Sequence, residues 1–491
     1  MQPPKYKPKT KKTVPRASQT KSPAIAPTGT LRTSFTPKQL LKRFRKLLPA
    51  RILKNWLSQA PHQFYQRAFT LRIILWYFIF QRLSPDHTLS KVLSDAFAGG
   101  ADSLSPKGKA LSRQLRSQAT TALSDARHRL PVAVLSETLT YSAQQIRSWV
   151  QGLLWHGWNV ALLDGSTLRL RPHEKISHEF PPHHTAKGNT AYWCLMRVVV
   201  AFCLTSGVVL NCAMGPLKVS EQALTAQLLS AGNWVKTLLV ADRNFGVYFV
   251  VRAAVAASAQ ILVRLTESRA RKLARIANVD LQGGLDVSLS WVPSAQDQCP
   301  AGLARISVAG RLLVVRVQRQ GFRPLVLYLF TTLSDAQLYP AAELAKLYGE
   351  RWHIELNLRF VKTQLQLGHL ESKSADMVRK EWLGGLIAYN LIRSVMVAAA
   401  AQHQTSVSVL SFSRARQLLQ DWLVRWAWGP SAHSETWEQL LTHMGRCKLP
   451  RRSKPRPSEP RAIRDFKSSF PKLKGDRQIA REKLEIANSK N

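Results

Sequence analysis

Acidic residues are scarce in this 491-residue chain, where 29 Asp and Glu face 71 Lys and Arg for a formal net charge of +42. Residues 1–56 contain no acidic residue at all. Self-repulsion of that size opposes compaction unless a polyanion neutralises it. The imbalance predicts nucleic acid as a partner. An anionic membrane surface is the alternative, but no amphipathic helix with a Lys/Arg face stands out to support it.

Cysteine is also scarce, and the five thiols form neither a C-x-x-C pair nor a metal-finger spacing. A disulfide framework and a zinc ribbon are therefore not indicated, and a reducing compartment is the simplest interpretation. The N-terminus is basic and broken by Pro, without the apolar core of a secretory signal. The uncharged run Val198–Leu217 contains Gly, Asn and Pro, which predicts two buried strands and a tight turn rather than a membrane span.

Motifs for nucleotide chemistry are missing as well. There is no phosphate-cradling G-x-x-x-x-G-K and no Rossmann glycine fingerprint, so nucleotide hydrolysis is not supported. Four histidines do crowd one stretch between two predicted strands: His173, His178, His183 and His184. A zinc site is one interpretation, but the irregular spacing and the neighbouring Pro181-Pro182 favour a polar loop.

The order of patterns along the chain predicts an α/β protein with helical additions. Apolar residues recur at helical spacing between 57 and 155, and short β-branched runs begin at Trp158. Three strands, a helix near 220–231, a strand at 237–242, a helix near 246–257 and a strand at 261–265 form an α/β layer. The segment 266–335 alternates with period two, which predicts an antiparallel β insertion, and two long helical patterns follow from Pro340.

These patterns divide the chain into five segments. Composition predicts solvated basic tails at both ends, and the helical segment before the sheet is interpreted as a DNA-binding domain, with a helical bundle that contacts no DNA as the alternative. The predicted segments are a disordered tail (1–35), a helical N-terminal DNA-binding domain (36–155), a catalytic domain (156–400), a C-terminal helical segment (401–445) and a second basic tail (446–491).

Two aspartates close buried strands and are candidate metal ligands. Asp164 ends the run ALLD and Asp242 ends LLVAD. Carboxylates on a rigid sheet are the hard oxygen ligands that Mg²⁺ prefers, and a third acid would complete a two-metal site for phosphoryl displacement. Asp at the end of a strand is also common in plain turns.

A third acid lies on the helical segment YGERWHIELNLRFVK. At about 100° per residue, Tyr348, Arg351, Glu355 and Lys362 fall on one face of a regular helix, and Arg359 is on the same stripe. In that arrangement Glu355 would bind metal. Arg351 would grip a phosphate with its planar fork, Tyr348 would hydrogen-bond another oxygen and Lys362 would neutralise the backbone further along. The alternative is a solvated face with Arg351 and Glu355 as an i,i+4 ion pair.

The spacing Tyr348-x2-Arg351-x3-Glu355-x6-Lys362 resembles the Y-R-E-K signature of the insertion sequence family 4 transposases. LLDGSTLRL resembles that family's first-Asp segment and LLVADRNFG its second, in the required order. The resemblance implies a ribonuclease H-like mixed sheet with the β insertion between the second Asp and the Glu, in which Asp164, Asp242 and Glu355 are the DDE triad.

The resemblance also implies the chemistry and the partners. Members use two divalent metals, Mg²⁺ with Mn²⁺ as a substitute, to nick double-stranded DNA at the element's terminal inverted repeats and to join the freed end to target DNA. A homodimer is expected, because two element ends must be brought together, and no membrane is involved. The implied location is the cytoplasm of a prokaryote, in association with the nucleoid.

Two other functions remain as alternatives. A haloacid-dehalogenase-like phosphatase would use Asp164-Gly165-Ser166 as its nucleophile loop, but that loop needs a second Asp where Ser166 stands. A transposase-derived DNA-binding protein without activity is the non-enzymatic alternative. The three intact acids argue against it.

Overall fold

The computed structural model describes most of the chain between residues 50 and 450. The described ranges are residues 47, 50–59, 68–84, 86–106, 109–150, 154–184, 190–281, 283–297, 302–317, 325–428 and 433–450, with isolated positions 476, 478, 479, 482 and 486. The predicted tail 1–35 and most of 446–491 lie outside the described residues, as does most of the basic stretch that begins at residue 36.

The N-terminal part is helical, as the periodicity predicts. Its helices are α1 (Ala50–Gln59), α2 (Leu71–Leu83), α3 (Leu89–Phe97), α4 (Leu111–Gln114), α5 (Thr121–Arg129) and α6 (Val132–Ser148). The Thr70 side chain caps α2 by accepting a hydrogen bond from the Ile73 N–H, and every residue of α2 except Arg72 is buried. A helix that is apolar on all sides belongs in a core.

The strands form one large mixed sheet. They are β1 (Asn159–Leu170), β2 (Pro182–His184), β3 (Thr190–Cys203), β4 (Val209–Pro216), β5 (Thr237–Ala241), β6 (Gln260–Arg264), β7 (Asp286–Trp291), β8 (Val308–Val317), β9 (Leu325–Thr331) and β10 (His369–Leu370). Their main order is β2-β3-β1-β5-β6-β9-β8-β7, with β4 beside β3 and β10 beside β1.

The centre of the sheet joins an antiparallel half to a parallel half. β3 is antiparallel to both β1 and β4, whereas β5 is parallel to β1 and to β6. The connecting helices are α7 (Glu174–Ser177), α8 (Glu221–Ser230) and α9 (Tyr248–Ala256). The predicted succession of strands and helices is confirmed, and Val198–Leu217 supplies parts of β3 and β4 joined by a turn. The histidine stretch contains α7 and β2 rather than only a loop.

The predicted β insertion continues the same sheet. β8 is antiparallel to both β7 and β9, and β9 pairs with β6 of the central sheet. A helix that the period-two pattern did not predict, α10 (Glu267–Ile276), precedes these strands. Its sequence ESRARKLARI is rich in strong helix formers, and the Thr266 hydroxyl caps it by accepting from the Arg269 N–H. The run ARISVAG becomes strand only at Val308.

The segment from Pro340 to about 368 is helical but irregular. It consists of α11 (Ala341–Gly349), a 3₁₀ turn (Glu350–Trp352), α12 (His353–Arg359) and a π turn (Phe360–Gln364). Both irregular turns rotate the chain differently from an α-helix. The single helical stripe assumed from the sequence is therefore only approximate.

One long helix, α13 (Ala375–Gln402), ties the helical part to the sheet. It packs against α2 and α6 on one side and against β4 on another. It is long and apolar enough to cross a membrane, but the apolar window is fully buried in the protein, where it serves as a core helix. The C-terminal helices α14 (Phe412–Trp428) and α15 (His433–Arg446) follow, and both contact α13.

Candidate active site

Asp164 and Asp242 lie side by side on neighbouring parallel strands. The register pairs Leu163 of β1 with Ala241, the last residue of β5, and in each segment the residue that follows is the aspartate. Neighbouring strands are about 4.8 Å apart. Asp164 Oδ1 accepts a hydrogen bond from the Gly165 N–H at 2.8 Å, and Asp242 Oδ1 accepts one from the Asn244 N–H at 2.8 Å. The sheet thus brings together two acids that are 78 positions apart in the chain.

The environment of Asp164 disfavours its negative charge. Burial raises the pKa of Asp164 to about 6, and the nearby Asp242 and Glu221 carboxylates raise it as well. The Gly165 N–H and the Arg351 guanidinium act in the opposite direction. A carboxylate held among other anions is stabilised by an added cation, so this end of the sheet has the charge distribution of a cation site.

Glu355 forms an ion pair with Arg351. The Arg351 Nη2 atom donates to Glu355 Oε1 at 2.9 Å, and the side chains are 19% and 62% exposed, respectively. This is the i,i+4 pair of the alternative interpretation. Arg351 also interacts electrostatically with Asp164. One guanidinium therefore links the helix that carries Glu355 to the strand that carries Asp164.

Tyr348 is buried beside the same groups. Burial raises its pKa, and the Asp242 carboxylate raises it further, whereas the guanidinium groups of Arg351 and Arg264 lower it. A phenol whose charged neighbours are Asp242, Arg351 and Arg264 points toward the strand ends. The structure thus gathers Tyr348, Arg351 and both aspartates around one region.

Lys362 is attached to β1. Its Nζ atom donates to Ser166 Oγ at 3.0 Å and to the Thr167 carbonyl at 3.1 Å. Burial lowers the pKa of Lys362, and the neighbouring Arg169 lowers it further. Both cations line a cavity of about 630 Å³ between β1 and the end of α2. Arg359, which the stripe also included, is exposed.

The donor chemistry of the two aspartates fits a hard divalent cation, since carboxylate oxygens are the ligands that Mg²⁺ prefers. Among the described residues, no three His, Cys, Asp or Glu side chains are grouped closely enough to hold a metal ion. Glu355, engaged with Arg351, does not complete such a group with the aspartates. In the histidine stretch, the His173 Nδ1 atom accepts from the Lys175 N–H and caps α7.

Comparison with known proteins identifies the domain around these residues. Residues 155–391 match the family model of the transposase DDE domain. The chain is 31% identical to the transposase InsG for insertion sequence element IS4 of Escherichia coli (strain K12) over 287 residues. The aligned region covers 57% of this chain and 62% of that protein. Residues 155–391 therefore resemble the DDE domain of transposases, including the transposase of an IS4 element.

The chain has further similarities that are more limited. It is 31% identical over 83 residues to the putative transposase y4zB of Sinorhizobium fredii (strain NBRC 101917 / NGR234), covering 17% of this chain and 22% of that protein. The matches thus span less than two thirds of either relative. A cryo-EM structure of a piggyBac transposase synaptic complex with hairpin DNA aligns at 8% identity and a TM-score of 0.41 over 84% of this chain and 87% of that one. That similarity is too low to identify the fold.

Sequence reasoning missed three polar residues that surround the aspartates of the DDE domain. Glu221 is the first residue of α8, and its Oε2 atom accepts from the Asn244 side-chain amide at 2.5 Å. The Gln222 amide donates to the Asn244 side-chain oxygen at 2.9 Å and to its carbonyl at 3.0 Å. Asn244, in the motif ADRNFG, was the available signal. Its partners, Glu221 and Gln222, lie about twenty residues earlier in the chain, and no sequence pattern predicts that they contact Asn244.

Proposed function

We propose that this chain is a DDE transposase of the IS4 family, which catalyses metal-dependent DNA strand cleavage at the terminal inverted repeats of its element and strand transfer of the freed ends into target DNA. The observation that carries the proposal is the adjacency of Asp164 and Asp242 at the end of β5, with Arg351 in electrostatic contact with Asp164 and paired with Glu355. This arrangement supports phosphoryl transfer, in which positioning and charge stabilisation supply most of the catalysis.

The residues that would hold the metals are Asp164, Asp242 and Glu355. Two Mg²⁺ ions, for which Mn²⁺ can substitute, would activate the attacking oxygen and stabilise charge on the scissile phosphate. The Glu355 carboxylate is exposed on one side and engaged by Arg351 on the other. For Glu355 to bind metal, its ion pair with Arg351 must open. A phosphate whose oxygens accept hydrogen bonds from the Arg351 guanidinium would replace Glu355 as the partner of Arg351 and so favour that opening.

The other residues of the signature would bind and orient DNA. Arg351 presents a planar fork that matches two phosphate oxygens, and Tyr348 offers a hydroxyl beside it. The Lys362 ammonium, fixed to β1 by Ser166 and Thr167, would neutralise the backbone further along the strand. These groups act by holding the phosphodiester against the aspartates.

The remaining parts of the proposal follow from the resemblance to that family. We propose that the mixed sheet has the ribonuclease H-like fold and that its substrates are double-stranded element ends and target DNA. We further propose that a homodimer joins two ends, without a membrane, in the cytoplasm of a prokaryote at the nucleoid. The net charge of +42 supports a polyanionic partner.

The second candidate is a transposase-derived DNA-binding protein without catalysis. The Arg351–Glu355 pair favours it, because Glu355 is engaged and no three acids form a metal group among the described residues. The two candidates differ in whether the acids matter to DNA breakage.

The decisive experiment incubates the protein with Mg²⁺ or Mn²⁺ and DNA that carries the element's ends, and follows cleaved and joined products. We expect Asp164→Asn, Asp242→Asn and Glu355→Gln each to abolish both reactions while end binding stays within a few-fold of wild type. Glu267→Gln, which changes an exposed acid of the same domain, is the matched control and should retain activity. Binding without cleavage by the wild type under all metal conditions would select the second candidate.

A further inference from the structure

Glu221 lies directly above Gly165, the residue that follows Asp164. A Cβ atom placed on Gly165 would come within 2.4 Å of the Glu221 side-chain Cδ atom and 2.6 Å of Oε1. Real Cβ atoms do not approach other atoms so closely, so the position is open to this carboxylate only because residue 165 has no side chain. The carboxylate is also close enough to raise the pKa of Asp164.

The same carboxylate holds the loop that carries Asp242. Glu221 Oε2 accepts from the Asn244 side-chain amide, whose oxygen accepts in turn from the Gln222 amide. With both ends engaged, the Asn244 side chain has one orientation. Its backbone N–H donates to Asp242 Oδ1. Two hydrogen bonds, joined through Asn244, therefore connect Glu221 of α8 to Asp242. The Glu221 carboxylate also lies against Gly165, on the strand that carries Asp164.

The start of α8 is itself fixed. The Ser220 hydroxyl caps the helix by accepting from the Ala223 N–H at 3.1 Å, and the Gln222 amide contacts the Asn244 carbonyl. Glu221 is thus presented by a capped helix, and α8 packs against β3, β4 and α9. A rigid element is the appropriate support for a group that orients another residue.

We propose that Glu221 is a positioning residue, which sets the orientation of Asp242 relative to Asp164 by holding the Asn244 side chain from its own place beside Gly165. This inference rests on the proposed function, since it concerns the acids assigned there to metal binding. Residues that orient metal ligands through hydrogen bonds contribute substantially to affinity, and their removal weakens binding about 10- to 100-fold. In this proposal Glu221 acts by accepting the hydrogen bond from Asn244, and its negative charge is not required.

The test compares Glu221→Ala, Glu221→Gln and Asn244→Ala in the full-length protein. Glutamine keeps an oxygen that can accept from Asn244, whereas alanine removes it. The matched control is Glu267→Ala, because Glu267 is likewise the first residue of a Ser/Thr-capped helix, α10. The readout that does not depend on activity is the rise in melting temperature as Mn²⁺ is added, from which an apparent metal affinity follows.

We expect Glu221→Ala and Asn244→Ala each to weaken the apparent Mn²⁺ affinity about 10-fold or more. The double variant should be no weaker than either single one, because both act through one hydrogen bond. Glu221→Gln should stay within about threefold of the wild type, and Glu267→Ala should not differ from it. The metal concentration for half-maximal cleavage should shift in the same order.

Three results would overturn the inference. If Glu221→Gln loses as much affinity as Glu221→Ala, the residue acts by its charge and not by positioning. If the losses of the two alanine variants add, they act independently. If Glu267→Ala loses as much as Glu221→Ala, the effect is a general one of helix ends. Failure of the proposed function would appear separately, as wild-type protein that binds Mn²⁺ without cleaving DNA.

Discussion

Lys362 donates a hydrogen bond to Ser166, two residues after Asp164 on β1. Residues at i and i+2 of a strand share a face, so the Lys362 ammonium is anchored on the face that carries the Asp164 side chain. Arg169 is near enough to lower the pKa of Lys362, and neither cation has an ion-pair partner within the described part of the chain. Two adjacent cations beside a cavity favour an anion, which in the proposed function is the DNA backbone.

Removing one of these cations should therefore reduce the salt dependence of DNA binding. We expect Lys362→Gln and Arg169→Gln each to lower the slope of log K against log salt by about 1, since one phosphate contact is lost. Lys346→Gln, which removes an exposed charge from α11, should leave the slope unchanged. The measurement is a filter-binding or fluorescence titration at four or more salt concentrations. If Lys362→Gln and Arg169→Gln had the same slope of log K against log salt as Lys346→Gln, the cavity would not hold a phosphate.

The raised pKa of Asp164 makes both activity and stability depend on pH. Metal binding needs the ionised carboxylate, so cleavage should decline as the pH falls through about 6. Stability changes in the opposite sense. Below about pH 3 the carboxyl is neutral in the folded and the unfolded chain, and as the pH rises toward 6 its ionisation increasingly favours the unfolded state.

The variant Asp164→Asn should remove that cost. Above pH 6 and without divalent metal we expect it to raise the free energy of unfolding by about 1 to 2 kcal/mol, a value reduced for partial exposure of the site. Near pH 3, below the unfolded pKa, the gain should disappear. Urea unfolding at the two pH values measures the difference. A gain that is the same at both pH values would show that ionisation of Asp164 is not its cause.

Arg311 joins the β insertion to the chain that leads into α11. Its side chain is 1% exposed. Nε donates to Asp286 Oδ1 at 2.9 Å, and Nη1 donates to the carbonyls of Leu333, Asp335 and Tyr339. Arg311→Met leaves one carboxylate and three carbonyls without their donor, so we expect a loss of about 3 to 5 kcal/mol of unfolding free energy.

The neighbouring Arg316 provides the control for this prediction. It lies on the same strand, β8, but is exposed. Arg316→Met should change the unfolding free energy by less than about 0.5 kcal/mol. Urea denaturation of both variants, followed by circular dichroism, compares them directly. Similar losses for both would mean that charge on β8, rather than the buried network, stabilises the insertion.

The sequence is informative about local features of this protein and less so about contacts between distant segments. β-branched runs predict the central strands, and the ends of ALLD and LLVAD predict two aspartates at strand ends. The register that puts them side by side, Leu163 with Ala241, is a property of the folded sheet. Glu221 and Asn244 were missed for the same reason, because their hydrogen bond joins a helix start to a loop.

Local sequence patterns also could not predict the irregular turns in the helical segment that carries Glu355, or the joining of the β insertion to the central sheet. The stripe from Tyr348 to Lys362 assumes 100° per residue throughout, whereas a 3₁₀ turn and a π turn interrupt the helix. The i,i+4 interpretation of Arg351 and Glu355 describes the geometry of that pair correctly. The period-two pattern predicted the insertion's strands but could not show that β9 extends the central sheet, because pairing of β9 with β6 depends on tertiary packing.

Substitution of Glu381 tests whether the N-terminal helices and the sheet unfold as one cooperative unit. This residue of α13 is 9% exposed and accepts from Arg82 of α2 at 3.2 Å and from Arg127 of α5 at 3.4 Å. Burial lowers the pKa of both arginines, and the Glu381 carboxylate counteracts that effect. Glu381→Ala leaves two buried guanidinium groups without a carboxylate, which should cost about 3 to 5 kcal/mol.

The form of the unfolding curve is as informative as its midpoint. Because α13 packs against α2 and α6 as well as β4, we expect Glu381→Ala to lower the midpoint of a single transition seen alike by circular dichroism and tryptophan fluorescence. Glu371→Ala, which removes an exposed acid near Arg171 and His369, should change the unfolding free energy by less than about 1 kcal/mol. Two separate transitions in Glu381→Ala, with only the first shifted, would instead mean that the N-terminal helices unfold independently of the sheet.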